Sequence, residues 1–342
     1  MTKRSKDRLL FVVLTIAVGV LMAVDLIVGS VAIPPREVLG ALFGGNASEA
    51  YSTIVLNFRL PKMVMAVLSG AALATVGLQM QTLFRNPLAG PYVLGVSSGA
   101  SLGVALMLLG LPLLGVSASH PVVHNIGIAG AAWIGSAAVM MVVMAVTARI
   151  KNIMTVLILG MMFGSAATAL VEIMQYLSPE SALKSFVVWT MGSLGGVTLQ
   201  QLAIVVPTIL VGLALSILLI KPLNMLLLGE NYARTMGLNI KAIRLAVTLT
   251  TVLLAGTTTA YCGPIGFVGL AVPHIARMLF READHRILVP ASMLTGSLIM
   301  LLCDIVTLLP SGDITLPINT ISALVGIPII IVVIARNRKM LS

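Results

Sequence analysis

Charge is scarce in this chain. Asp, Glu, Lys and Arg make up only 9% of its 342 residues, while 58% are hydrophobic. Soluble domains carry about 25% charged residues. So few charges cannot clothe a water-exposed surface, and lipid must surround most of the protein. Cysteine is equally sparse. Cys262 and Cys303 are the only two, too few for a disulfide framework or a metal cluster, and they read as buried thiols. A phosphate loop of the form G-x-x-x-x-G-K-[ST] is missing, and no Gly is followed by Lys anywhere. The chain therefore cannot perform ATP chemistry itself. H-E-x-x-H is also absent, and His274, beside Pro273, has no second ligand at metal spacing. It reads as a structural histidine. No converging nucleophile and base suggest an intramembrane hydrolase.

What is present is a succession of apolar stretches of bilayer length. They fall near 9–29, 63–83, 92–111, 126–148, 153–176, 200–220, 242–262, 265–280, 287–307 and 316–335. The first is too long for a signal-peptide core of about 7–15 residues, so it is expected to remain as a span. Segment 183–198, with Gly192, Gly195 and Gly196, suits a short helix at membrane depth shielded by protein. The expected fold is all-α: a polytopic membrane helix bundle of about ten transmembrane helices, forming a single transmembrane domain over 1–342.

The net charge of +10 is read first as a topology signal rather than as a sign of nucleic-acid binding. With ten spans, seventeen Lys and Arg fall in the loops on one side, and four (Arg36, Arg59, Lys62 and Lys184) on the other. The positive-inside rule then puts both termini in the cytoplasm. Asp25, Glu172 and Asp304 lie near the expected outer ends of spans, where they are expected to reach water. An ion-coupled secondary transporter, the alternative reading, needs an ionisable group deeper. Gly95, Gly99 and Gly103, and likewise Gly160 and Gly164, repeat at the four-residue spacing of close helix packing.

Three segments exceed what a generic bundle needs. Arg85–Ala100 and Gly263–Arg277 each open a span with a Gly-Pro step, Gly90-Pro91 and Gly263-Pro264. Their spans run in opposite directions, which suggests an inverted repeat of spans 2–5 against 7–10. The third segment, 221–244, is too long for a simple turn. Glu230–Met236 can form a short helix with a Glu230–Arg234 pair, Gly237 suits its left-handed C′ position, and Asn239 can cap the next helix. This is either a docking knob for a partner or an ordered loop without one.

These segments carry a resemblance. RLPK (Arg59–Lys62), GAALATVGLQMQTLFRNPLAGPYVLGVSSGA (Gly70–Ala100), LGENYARTMG (Leu228–Gly237), GFVGLAVPHIAR (Gly266–Arg277) and LPINTISALVGIPIII (Leu316–Ile331) together resemble the FecCD-type permeases of ATP-binding-cassette (ABC) importers. Those permeases handle iron-siderophores, haem and cobalamin. The resemblance implies a permease dimer around a central pathway. It also implies two cytoplasmic ABC ATPase subunits, which hold ATP and magnesium, and an external substrate-binding protein, periplasmic or surface-bound. It places the protein in the cell inner membrane, with no cofactor of its own. It implies that the coupling loop, through Leu228, Gly229, Glu230, Ala233, Arg234 and Gly237, enters a cleft on the ATPase. It also implies that Arg59 and Lys62 face carboxylates of the binding protein, where simple snorkelling at a span end is the other reading. Lys62 is a weaker bidentate partner than Arg. A further basic residue that some members carry before the last span is missing around Thr307–Leu309.

The short connection between spans 4 and 5 must move with either span. The resemblance places it near the central exit, so Arg149, Lys151 and Asn152 are expected at the cytoplasmic gate, unless the two cations are only membrane anchors. Met161 and Met162 are candidate lining residues, although methionine at helical spacing also serves packing. The expected function is that of a transport subunit, homodimeric or else paired with a sibling permease, not an enzyme, moving a ferric siderophore, haem or cobalamin inward by alternating access. No residue separates the three.

Overall fold

The computed structural model describes residues 3–338 except 30, 46, 93, 112–120, 148–149, 151–152 and 310–314. The described residues contain helices and no strand. In chain order the helices are α1 (Lys3–Ile27), α2 (Pro35–Phe43), α3 (Glu49–Leu83), α4 (Val96–Gly110), α5 (Pro121–Thr147), α6 (Ile153–Leu177) and α7 (Glu180–Met191). They continue with α8 (Leu199–Leu218), α9 (Ile220–Leu227), α10 (Glu230–Thr235), α11 (Ile240–Cys262), α12 (Val268–Phe280), α13 (His285–Thr307) and α14 (Ile318–Arg338). Seven of them are long and apolar enough to cross a membrane: α1, α3, α5, α6, α8, α11 and α13. Three shorter apolar helices, Val96–Gly110, Val268–Phe280 and Ile318–Val332, fall in the remaining expected spans.

Burial shows which helix is central. In α3, 83% of the apolar window is buried, against 22% in α1. The reason lies in its small residues. A Cβ on Gly70 would run into the Gly296 carbonyl of α13, and one on Gly77 into the Gly269 carbonyl of α12. Backbones can meet this closely only where side chains are absent, and close contact is what holds helices together in lipid. The glycine stripe of α4 works in the same way. Gly99 and Gly103 abut the Gly135 and Ala131 carbonyls of α5, while Gly95 and Ser98 face Gly160 and Gly164 of α6.

Helix starts follow local chemistry. Thr198 and Gln201 form a capping box on α8, and the Asn239 side chain accepts from Ala242 N–H at 3.1 Å to start α11. The Gly-Pro segments open α4 and α12 through left-handed residues, Gly95 at φ 83° and Phe267 at φ 64°. The two segments also meet. Gly269 packs on Pro91, and the Tyr92 hydroxyl donates to the Ile265 carbonyl at 2.8 Å.

Segment 183–198 is helical up to Met191 and then turns at Gly192, φ 75°, where Ser193 N–H donates to the Cys262 carbonyl at 2.9 Å. Cys262 and Cys303 are free and buried. The two ends of the bundle are distinguished by their contacts. At one, the loop end, Lys3 pairs with Glu282, the α12–α13 turn meets α9 through Asn224 and Asp284, and Arg85 approaches Gly229. At the other, the cavity end, lie Asp25, Arg59, Lys62, Asp304 and the turn after α7, around one cavity.

Candidate coupling knob and transport surfaces

At the loop end, segment 221–244 is folded rather than a bare loop. It contains α9, α10 and the first turn of α11. Gly229 enters α10 at φ 114°, a conformation that L side chains rarely adopt, and a Cβ there would lie 3.2 Å from an Arg85 nitrogen. Ala233, on the inner face of α10, is fully buried, and Leu228, just before the helix, is exposed. Gly237 closes the helix at φ 86°. Its N–H donates to the Arg234 carbonyl at 2.9 Å and that of Leu238 to the Ala233 carbonyl at 3.0 Å, the reverse-turn pattern of a Schellman stop.

The expected Glu230–Arg234 pair is present but loose, at 3.7 Å, with Arg234 half exposed. The tighter contact comes from Arg244 on α11, whose guanidinium reaches Glu230 at 2.8 Å and the Ile150 carbonyl at 3.3 Å. Arg244 thus ties the knob to a transmembrane helix and to the connection before α6. Sequence reasoning missed it because the pair is tertiary; a basic residue on the first turns of α11, facing back toward the knob, was the available signal.

The knob's neighbours are fixed by buried polar contacts. Arg277 donates to Gln81 Oε1 at 2.5 Å, and Gln81 Nε2 donates to the Leu270 carbonyl at 3.1 Å. His274 donates from Nε2 to the Pro87 carbonyl at 2.8 Å, which gives that residue the structural role expected of it. His285 donates from both its backbone N and Nδ1 to Asn224 Oδ1, at 2.8 and 2.7 Å. The Asn224 amide in turn donates to Asp284 at 2.6 Å. The Arg286 N–H, and then the Asn224 amide, hold the Asp284 carboxyl below its usual value.

The cavity end departs from expectation. Asp25 and Asp304 do not reach bulk water: they are 4% and 1% exposed. Helix position gives depth, but it does not say whether a side chain turns toward solvent or toward neighbouring helices. Asp304 is paired with Lys62 at 3.0 Å. Arg59 is buried and donates to the carbonyls of Leu26, at 2.8 Å, and Ile27, at 2.7 Å, and also to that of Val31. Gly29 is what lets the guanidinium in, since a Cβ there would sit 2.7 Å from it. Neither cation stands as an exposed rim charge; both line the wall of a cavity of about 580 Å³.

Glu172 is exposed within the single chain and borders a groove of about 510 Å³ between α4 and α6 with Tyr92, Ser98, Met161 and Thr168. Met161 and Met162 are 46% and 62% exposed, so within a single chain neither fills the core. Arg149, Lys151 and Asn152 lie outside the described residues. Among the described residues, no group of three or more His, Cys, Asp or Glu could hold a metal ion.

Known proteins resemble this chain along nearly its whole length. The hemin transport system permease protein HmuU of Yersinia pestis is 35% identical over 302 residues, covering 87% of this chain and 88% of that protein. The vitamin B12 import system permease protein BtuC of Klebsiella pneumoniae is 34% identical, with 95% and 93% covered. Among solved structures, an inward-facing metal-chelate type ABC transporter superposes with a TM-score of 0.82 at 28% identity, over 96% of this chain and 99% of that one. The pattern of the FecCD transport family matches residues 14–336, and the chain belongs to that family.

Proposed function

We propose that this chain is the membrane permease of an ABC importer that carries a metal chelate, a ferric siderophore, haem or cobalamin, into the cytoplasm by alternating access. The observation that carries the reading is the clamped knob. α10 stands on buried Ala233, is stopped by Gly237 and is tied to α11 by Glu230 and Arg244. A rigid lever joined to a spanning helix can convert closure of a partner into helix movement, because the two states then differ in contact energy. The names of the relatives, hemin and vitamin B12 permeases, support the chelate class.

In this reading ten helices span the inner membrane, with the loop end and both termini in the cytoplasm. Spans 2–5 and 7–10 form an inverted repeat, and two copies of the chain assemble around the pathway. Two ATPase subunits, with their ATP and magnesium, engage the knob. The groove beside Met161 and Glu172 faces the partner copy, where a spanning-helix carboxylate escapes lipid. Arg149, Lys151 and Asn152 flank the gate. A substrate-binding protein docks over the cavity end, and its carboxylates compete with Asp304 for Lys62 and are attracted by the positive charge of Arg59.

The test is reconstitution of this chain with its partner ABC ATPase. Gly237→Val leaves insertion intact and abolishes chelate uptake or uncouples hydrolysis from it, because a β-branched residue resists positive φ. Wild-type uptake by an assembled variant overturns the coupling role.

A further inference from the structure

The carboxyl groups at the cavity end have a hydrogen-bonding problem that the transport reading leaves unsolved. Asp25, near the end of α1, and Asp304, near the end of α13, lie within hydrogen-bond reach of one another. Both are more than nine-tenths buried and both line the cavity. Lys62 Nζ serves Asp304 Oδ1 at 3.0 Å, while Asp304 Oδ2 and Asp25 Oδ1 have no donor among the described residues. Arg59 is near, but its guanidinium is engaged with the carbonyls of Leu26, Ile27 and Val31. An ionised carboxylate only accepts, so two ionised groups facing each other leave acceptors unsatisfied and add like-charge repulsion.

We propose that Asp25 and Asp304 form a proton-binding pair in the wall of the cavity, sharing one proton, with Lys62 as its counter-charge. The proton turns one carboxyl into a donor for the other. One neutral acid and one carboxylate then replace two facing anions, which removes their mutual repulsion. Hydronium from cavity water supplies the proton: one O–H bond forms on a carboxylate, one breaks in hydronium, and water is left. Among the described residues, the other charged or titratable groups that face the pair are Arg59 on α3 and the buried thiols of Cys262 on α11 and Cys303 on α13 itself. A second proton removes Lys62's partner, and loss of the first sets two anions side by side. Either change loosens the junction of α1, α3 and α13, so the site reports acidity on the cavity side to the helices that close it.

Difference infrared spectroscopy of the full chain in lipid discs, with pH stepped across neutrality, tests this directly. The wild type shows a protonated-carboxyl C=O band that shifts on deuterium exchange and disappears in alkali. Asp25→Asn and Asp304→Asn each abolish it, because a lone carboxylate beside Lys62 stays ionised, whereas Glu180→Gln, at an exposed position, retains it. Should the Asn variants lose helix content, Lys62→Met decides: without the ammonium the proton is held more tightly and the band persists to higher pH. Absence of the band in wild type, its survival in either Asn variant, or wild-type titration in Lys62→Met overturns the pair. Loss of the wild-type band on adding sodium at constant pH reassigns the site to a metal cation. The readout needs neither ATPase nor substrate, so its outcome is separate from that of the transport reading.

Discussion

Replacing Glu230 by Gln removes the charge that holds the knob to α11. Two contacts change unequally. The Arg234 contact, at 3.7 Å with Arg234 half exposed, is worth little, about 0–1 kcal/mol for a surface pair. The Arg244 contact is a charge-assisted hydrogen bond of 2.8 Å between side chains only 17% and 24% exposed, for which about 1.5–3 kcal/mol is typical. Gln keeps one acceptor, and Arg244 keeps the Ile150 carbonyl, so the net loss should fall near the lower end, about 1.5 kcal/mol. At about 1.4 kcal/mol per factor of ten, local opening of α10 becomes roughly tenfold more frequent. Hydrogen exchange in lipid discs reads this at the amides of Ala233, Gly237 and Leu238, whose bonds close the helix. Those amides exchange about tenfold faster, while amides in the centre of α3 do not change. Glu230→Gln with Arg244→Met tests the pair: if the contact accounts for the effect, the double variant gains less than the sum of the two single losses. Unchanged exchange at all three amides in Glu230→Gln would refute the clamp.

The same geometry sets four further outcomes. Lys62→Met leaves Asp304 buried without its counter-ion and lowers the thermal unfolding temperature in alkali, where breaking one partner of a buried pair costs about 3–5 kcal/mol, and lowers it less near neutrality, where the carboxyls hold a proton instead. Gly29→Ala pushes the Arg59 guanidinium from its carbonyls and also destabilises, and Gly29→Ala combined with Arg59→Met is milder than the sum of the two changes, as a shared contact requires. Gly77→Val drives a side chain into the α12 backbone and lowers yield and melting temperature sharply, because a backbone neighbour cannot give way as a side chain can. Asp284 is held below the usual carboxylate value, so its cap on α13 is fully present above pH about 3.9 and is lost as pH falls through the lower folded value. Asp284→Ala removes that acid-side loss, which acid titration of α13 exchange measures.

How far these features could be read in advance depended on the range of the interaction. Bilayer-length apolar runs, the cap at Asn239 and the stop at Gly237 are local, and they lie where composition and spacing place them. Glycine spacing on α4 revealed a packing face, but not that Gly99 would meet Gly135 and Gly164 would meet Ser98. Arg244 and Glu230 pair only once the chain folds back. The acids misled for a similar reason: Asp25 and Asp304 lie near helix ends, where water is close, but helix rotation and the neighbouring Lys62 turn them inward.

The central claim is that this chain moves a chelate only when a separate ATPase drives it. Sealed proteoliposomes holding the full chain and its ATPase, with the binding protein and labelled haem, cobalamin or ferric siderophore outside, test it most directly. The account predicts accumulation of one of the three inside when ATP and magnesium are supplied on the knob side, and none when the ATPase is omitted or its phosphate-loop lysine is replaced. Accumulation without ATPase, driven by a sodium or proton gradient alone, would contradict it.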